Sequence, residues 1–199
     1  TFYTNDYYLP HPADGDYHTT AIPDTADLRA VIDGQAIVFL NEAFGDFPAG
    51  SLLALPLDAL ARGDQVAFVP VMTPTRAQAI ENVAASRHVL WVKALDDVEG
   101  KLFALRRDQP NGRWSQKAVP VTANATMGIA GTIDDRDIAF VTAETMLMPP
   151  TLYAVSEDTA PQVVQSLPAT FDAKRMSVEK RFATSKDGTK VPYFLVRKK

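Results

Sequence analysis

Apolar residues along this chain arrive in short bursts of four to eight, often alternating with polar ones and rich in Val, Ile, Leu, Phe and Tyr, with turn residues between bursts. A two-residue alternation over such lengths is the pattern of β-strands. Gln35-Ala-Ile-Val-Phe-Leu40, Val89-Leu-Trp-Val-Lys-Ala94 and Ile138-Ala-Phe-Val-Thr142 are examples. Only Ala54 to Arg62 and Thr73 to Asn82 could pass as short helices. Neither sustains a 3.6-residue apolar stripe over three turns, so both are read as strand ends and loops.

The bursts repeat. Ser51-Leu-Leu-Ala-Leu55, Lys101-Leu-Phe-Ala-Leu105 and Thr151-Leu-Tyr-Ala-Val155 recur at steps of 50 and 50 residues, and the strands beginning at Ile37, Val89 and Ile138 at steps of 52 and 49. Four strands can be laid out in each period: 28–32, 35–41, 50–56 and 65–71; then 78–84, 88–94, 100–106 and 114–119; then 126–131, 137–143, 151–156 and 162–167. Asp33-Gly34, Asn111-Gly112, Asp134-Asp135 and Pro149-Pro150 mark joints between them. A weaker copy, Asp6 to Leu9 with Asp16 to Pro23, precedes the first unit.

Four antiparallel strands every 40 to 50 residues is the signature of propeller blades, with a β-sandwich or barrel as the competing architecture. The expected fold is all-β: a partial β-propeller over residues 1–170, with a half blade at 1–23 and blades at about 28–71, 78–119 and 126–167. Three and a half blades do not close a ring, since propellers have about 4–8. Counting also allows two copies, each half of a seven-bladed ring, to close one as a homodimer.

Composition narrows the field. The chain has 199 residues, 46% hydrophobic and 22% charged, which suits a packed globular domain. Its net charge of −4 supplies no basic field for nucleic acid or anionic lipid, and neither partner is expected. There is no cysteine, so no disulfide framework or thiolate metal site. The longest apolar runs fall far short of the ~20 residues of a spanning helix. Thr1 to Tyr8 shows no basic segment followed by an apolar one, and compartment, cytoplasmic or periplasmic, is left open.

After the third unit the period breaks, and Ser166-Leu-Pro-Ala-Thr-Phe-Asp-Ala173 leads into Val178-Glu-Lys-Arg-Phe-Ala-Thr-Ser-Lys-Asp-Gly-Thr-Lys-Val-Pro-Tyr-Phe-Leu-Val-Arg-Lys-Lys199. Asp187-Gly188 reads as a two-residue hairpin turn, and Pro192, unable to donate to a ladder, should face an edge or a bulge. This stretch resembles the junction in the prolyl oligopeptidase family of serine peptidases where the propeller chain returns to the α/β-hydrolase domain. Phe47-Pro-Ala-Gly-Ser-Leu-Leu-Ala54, Ala85-Ser-Arg-His-Val-Leu-Trp91 with Leu95-Asp-Asp-Val98, and Met148-Pro-Pro-Thr-Leu-Tyr153 resemble blade segments of a bacterial branch of that family. The resemblance implies that 171–199 is a linker and β-hairpin opening a catalytic domain beyond Lys199, and that the parent cleaves short peptides after proline. It also implies partners: that hydrolase domain, the remaining blades, and proline-containing peptides as substrate.

The family's chemistry is acyl transfer to a serine in a Gly-x-Ser-x-Gly elbow, with His as base and Asp as orienter. None of the seven serines here has that setting, so no catalytic residue is assigned and the chain alone is expected to be inactive. His11 and His18 flank a Pro- and Asp-rich turn and read as solvated, and His88 as a blade-edge hydrogen-bonding residue; no metal or cofactor site is expected. Asp96-Asp-Val-Glu99 and Asp134-Asp-Arg-Asp137 lack calcium-loop spacing and read as polar turns. Lys190 and Arg197 to Lys199 read as a solubilising edge, Trp91 and Trp114 as packing residues. The implied role is gating: a lid and size filter for chemistry done elsewhere. The alternative is a free-standing propeller that binds a partner.

Overall fold

The computed structural model describes residues 4–108 and 112–199. A small sheet, β1 (Tyr8–Pro10) with β2 (Tyr17–Thr19), precedes three four-stranded antiparallel meanders. Blade 1 is β3 (Ala26–Ile32), β4 (Gln35–Leu40), β5 (Leu52–Pro56) and β6 (Val69–Met72). Blade 2 is β7 (Gln78–Ala85), β8 (Leu90–Asp96), β9 (Glu99–Arg107) and β10 (Trp114–Val119). Blade 3 is β11 (Thr126–Ile133), β12 (Ile138–Glu144), β13 (Thr151–Val155) and β14 (Gln162–Ser166). A hairpin of β15 (Met176–Thr184) and β16 (Lys190–Lys198) ends the chain. In each blade the strands pair in sequence order, and the first strands β3, β7 and β11 lie next to one another. This is a partial β-propeller.

The apolar runs explain the stacking. In β4 and β8 consecutive residues are buried, because each middle strand has a neighbour on both faces. Leu90 and Val92 of β8 pack toward blade 1, against Ile37, Leu52 and Ala54. Val89 and Trp91 pack the other way, with Met127, Val141 and Tyr153 of blade 3. The opposite face of blade 1, with Val38, Leu53 and Leu55, is covered by Leu9 and Ile22 from the N-terminal segment. Outer strand β14 is exposed along its whole length.

Several expected boundaries move, each for a local reason. The segment Ala54 to Arg62, expected as strand end and loop, contains a one-turn helix, α1 (Leu57–Ala61), which buries Leu60 beneath blade 1. One turn is too short to show an apolar stripe. The helix and the loop after it take up chain expected in the fourth strand, so β6 begins only at Val69. The strand expected from His88 begins at Leu90, because the His88 N–H is spent on the Asp137 carboxylate at 2.7 Å.

The C-terminal turn also differs from the two-residue form expected. Ser185 N–H reaches Thr189 O at 2.8 Å and Gly188 N–H reaches Ser185 O at 3.0 Å, so three residues lie between the closing pair. Only Gly188 adopts positive φ (86°), whereas a primed two-residue turn requires it at both central positions. Pro192 sits opposite Phe182. The flanking bonds Ser185 N to Thr189 O and Lys199 N to Arg175 O set the ladder's alternation, which leaves Pro192 at a position that donates nothing across the pair. The Asp33-Gly34 joint is a true two-residue turn, with φ of 46° and 69°. Asn111 of the Asn111-Gly112 joint lies outside the described residues.

Candidate functional site

Two surfaces gather polar side chains from more than one blade. The first lies at the turns between the first and second strands of the blades. His88, in the blade 2 turn, places Nδ1 2.8 Å from Asp33 of the blade 1 turn and gives its backbone N–H to Asp137 of the blade 3 turn. Arg106, on β9, spans Asp137 (2.8 Å) and Glu157. Burial alone would raise the Asp137 carboxyl, but hydrogen bonds from Arg106 and then from the His88 N–H hold it below the usual carboxylate range. One network of hydrogen bonds and ion pairs thus ties three blades together.

The second surface is the opposite end, where the turns between second and third strands and the links between blades lie. The β8–β9 turn carries Asp97 at φ 46° and Val98 at φ 67°, an unusual conformation for a β-branched residue. The turn is anchored by the Asp97 N–H to Ala77 O at 3.1 Å. From β15, Lys180 Nζ donates to Asp97 O at 2.9 Å and to Glu99 at 3.3 Å. Hydrogen bonding from Lys101, reinforced by Lys180 against the opposing effect of burial, keeps the Glu99 carboxyl below its ordinary range. Beside this contact a cavity of about 200 Å³ separates Val178 and Phe194 of the hairpin from Asn124 of the link before blade 3 and from Met146 and Leu147 within it. The hairpin therefore rests on the propeller through one cation and a loosely filled apolar seam.

The three first strands share a further device. Each has a register shift at the same point, after Leu28, Ile80 and Ile129, which leaves Arg29, Glu81 and Ala130 as the extra residues. A bulge re-aims a side chain and sharpens strand twist. All three are exposed. Arg29 is held by Asp27 at 3.0 Å and lies over the Phe39 ring, and Glu81 pairs with Lys93, whose ammonium pKa is lowered by burial.

The residues weighed from sequence fall as follows. Trp91 is fully buried, with its indole N–H on Ser86 Oγ at 3.0 Å; Trp114 packs against the core between blades 1 and 2. Asp96 and Glu99 belong to the hairpin-facing turn, and Asp134 and Asp135 stand exposed. Lys190 and Arg197 are used inside the hairpin, on Thr184 and Glu179. His11 and His18, read as solvated residues flanking a turn, are brought together, their ring centroids 5.1 Å apart with Asp14 between them. Sequence reasoning passed over Lys180 and Arg106, because their partners are 81 and 51 residues away and no periodic pattern marks them.

No protein-family model matches the chain. An uncharacterized peptidase of Sinorhizobium fredii is 31% identical over 185 residues, covering 89% of this chain and 25% of that relative. Among solved structures, a post-proline cleaving enzyme from Rickettsia typhi superposes over 100% of the chain and 30% of its own length, with a TM-score of 0.76 and 24% identity. The chain is thus similar in sequence to a peptidase and shares its fold with part of a post-proline cleaving enzyme. Oligopeptidase B from Leishmania major has the same fold over 99% of the chain, with a TM-score of 0.74 at 17% identity, and again only 29% of its length is matched. The chain spans about a quarter of the length of the curated relatives it matches, and its likeness is to a propeller segment of a peptidase.

Proposed function

We infer that this chain works as the gating propeller of a longer prolyl oligopeptidase-like serine endopeptidase, and that the whole enzyme cleaves short peptides after proline. The observation that carries the reading is the seating of β15–β16 on the inter-blade end of the propeller through Lys180. In this reading, chain following Lys199 would lie at that same end of the propeller, over the mouth formed by the three first strands. A catalytic domain in that position would receive only peptides narrow enough to pass the propeller, and water would be excluded once it closed. Division of the chain into a propeller at 1–170 and a junction at 171–199, whose hairpin would belong to the hydrolase sheet, is part of the same proposal.

The test uses the longer enzyme. A short proline-containing peptide should be cleaved, its alanine counterpart should be cleaved at least a hundredfold more slowly, and the same proline segment within a folded protein should resist. Equal turnover of proline and alanine peptides would remove the specificity, and cleavage within the folded protein would remove the gate. The 199-residue chain alone should show no inhibitor-sensitive turnover.

A further inference from the structure

The geometry points to a binding site for one divalent transition cation of the zinc class at His11, Asp14 and His18, on the hairpin ahead of blade 1. The three side chains offer two imidazoles and a carboxylate, and their ligand-type atoms all lie within 4.8 Å of one another. His18 Nε2 is 3.4 Å from one Asp14 oxygen, and His11 Nδ1 is 3.7 Å from the other. Metal–ligand bonds of about 2.0–2.1 Å in a tetrahedral site put neighbouring ligand atoms about 3.4 Å apart. One edge of such a site, from His18 Nε2 to its Asp14 oxygen, is therefore already at its length, and the other two close by rotation of the partly exposed imidazoles.

The backbone holds this arrangement without the cation. His18 is opposite Leu9 in the β1–β2 register, and His11 N–H is bonded to Asp16 O at 2.8 Å, so both histidines are set by the ladder. Gly15, at φ 77°, turns the chain and returns its N–H to His11 O. The Asp16 N–H bonds Asp14 Oδ1 at 2.9 Å and aims the carboxylate between the rings. His11 Nδ1 accepts the Ala13 N–H at 3.3 Å, a long bond that a metal ion on that nitrogen would displace. Imidazole with carboxylate and no thiolate suits zinc, nickel or copper rather than calcium or magnesium, and solvent would fill the fourth position. Bound there, the cation would clamp together two strands of three residues each. This inference is independent of the peptidase reading.

The test is calorimetric titration of the full, tag-free, chelator-treated chain with zinc chloride. One equivalent should bind at pH 7.5, with at least tenfold weaker affinity at pH 5.5, because protons compete with a metal for its ligand atoms. His18→Ala and Asp14→Asn should each weaken binding at least tenfold, while His88→Ala should bind as the parent does. Cobalt in place of zinc should give the visible absorption of a tetrahedral site, lost in His18→Ala. Because these side chains are exposed, circular dichroism should show the variants folded. Absence of saturable binding in the parent, unchanged affinity in folded His18→Ala, or equal weakening in His88→Ala would overturn the site.

Discussion

Lys180 of the C-terminal hairpin donates its ammonium to the carbonyl of Asp97, 83 residues earlier, in a turn whose next residue, Val98, has φ of 67°. The relationship joins the hairpin to blade 2 at a point where the backbone is already in an unfavourable conformation. Among the described residues no strand of the hairpin pairs with a blade, and this cation and the seam at Val178 and Phe194 join the two.

Lys180→Gln should therefore loosen the hairpin with little effect on the blades. A partly exposed ion pair contributes about 0.2–1 kcal/mol, so hydrogen exchange in 176–184 should quicken by about 1.4- to fivefold. Hydrogen-exchange mass spectrometry reads this directly, and blade 2 amides should keep their protection.

Trp91 joins blades 2 and 3. Trp91→Ala should cost about 3–5 kcal/mol through the cavity it leaves. Ser86→Ala leaves the buried indole N–H without its partner and should cost about 1–3 kcal/mol. Urea unfolding followed by circular dichroism measures both.

Gly100→Ala places a Cβ 2.8 Å from the backbone carbonyl of Ala125, which cannot move without shifting the link between blades 2 and 3. Overpacking of this kind costs about 1–3 kcal/mol. Gly131→Ala meets nothing within 4 Å and should be close to neutral in the same unfolding assay.

Asp137 gives stability a pH dependence. Its folded pKa is lowered from an ordinary value near 3.8, so its contribution is complete above that value and is lost as pH falls through the lower folded one. Asp137→Asn should reduce stability at neutral pH and flatten the acid limb of a plot of urea midpoint against pH.

Much of the fold was legible because blade strands are built from short-range rules. Middle strands such as 35–40 and 90–96 are buried on both faces and read as apolar runs, and Asp33-Gly34 names its turn by the need for positive φ at both positions. Legibility failed where a residue's role is set by something far along the chain. Leu60 makes a one-turn helix because blade 1 covers it, and His88 leaves its strand because Asp137 takes its N–H.

The candidate sites divide the same way. By itself the amino-acid sequence determined the repeat and the four-stranded blades, since side-chain periodicity and turn chemistry act over a few residues. Only the tertiary structure decided which charges meet: Lys180 with Asp97, Asp33 with His88, Arg106 with Glu157, and two histidines with Asp14 across a hairpin. Stacking blades about fifty residues apart in sequence brings their turns together in space, and hydrogen bonds between such turns leave no period along the chain to read.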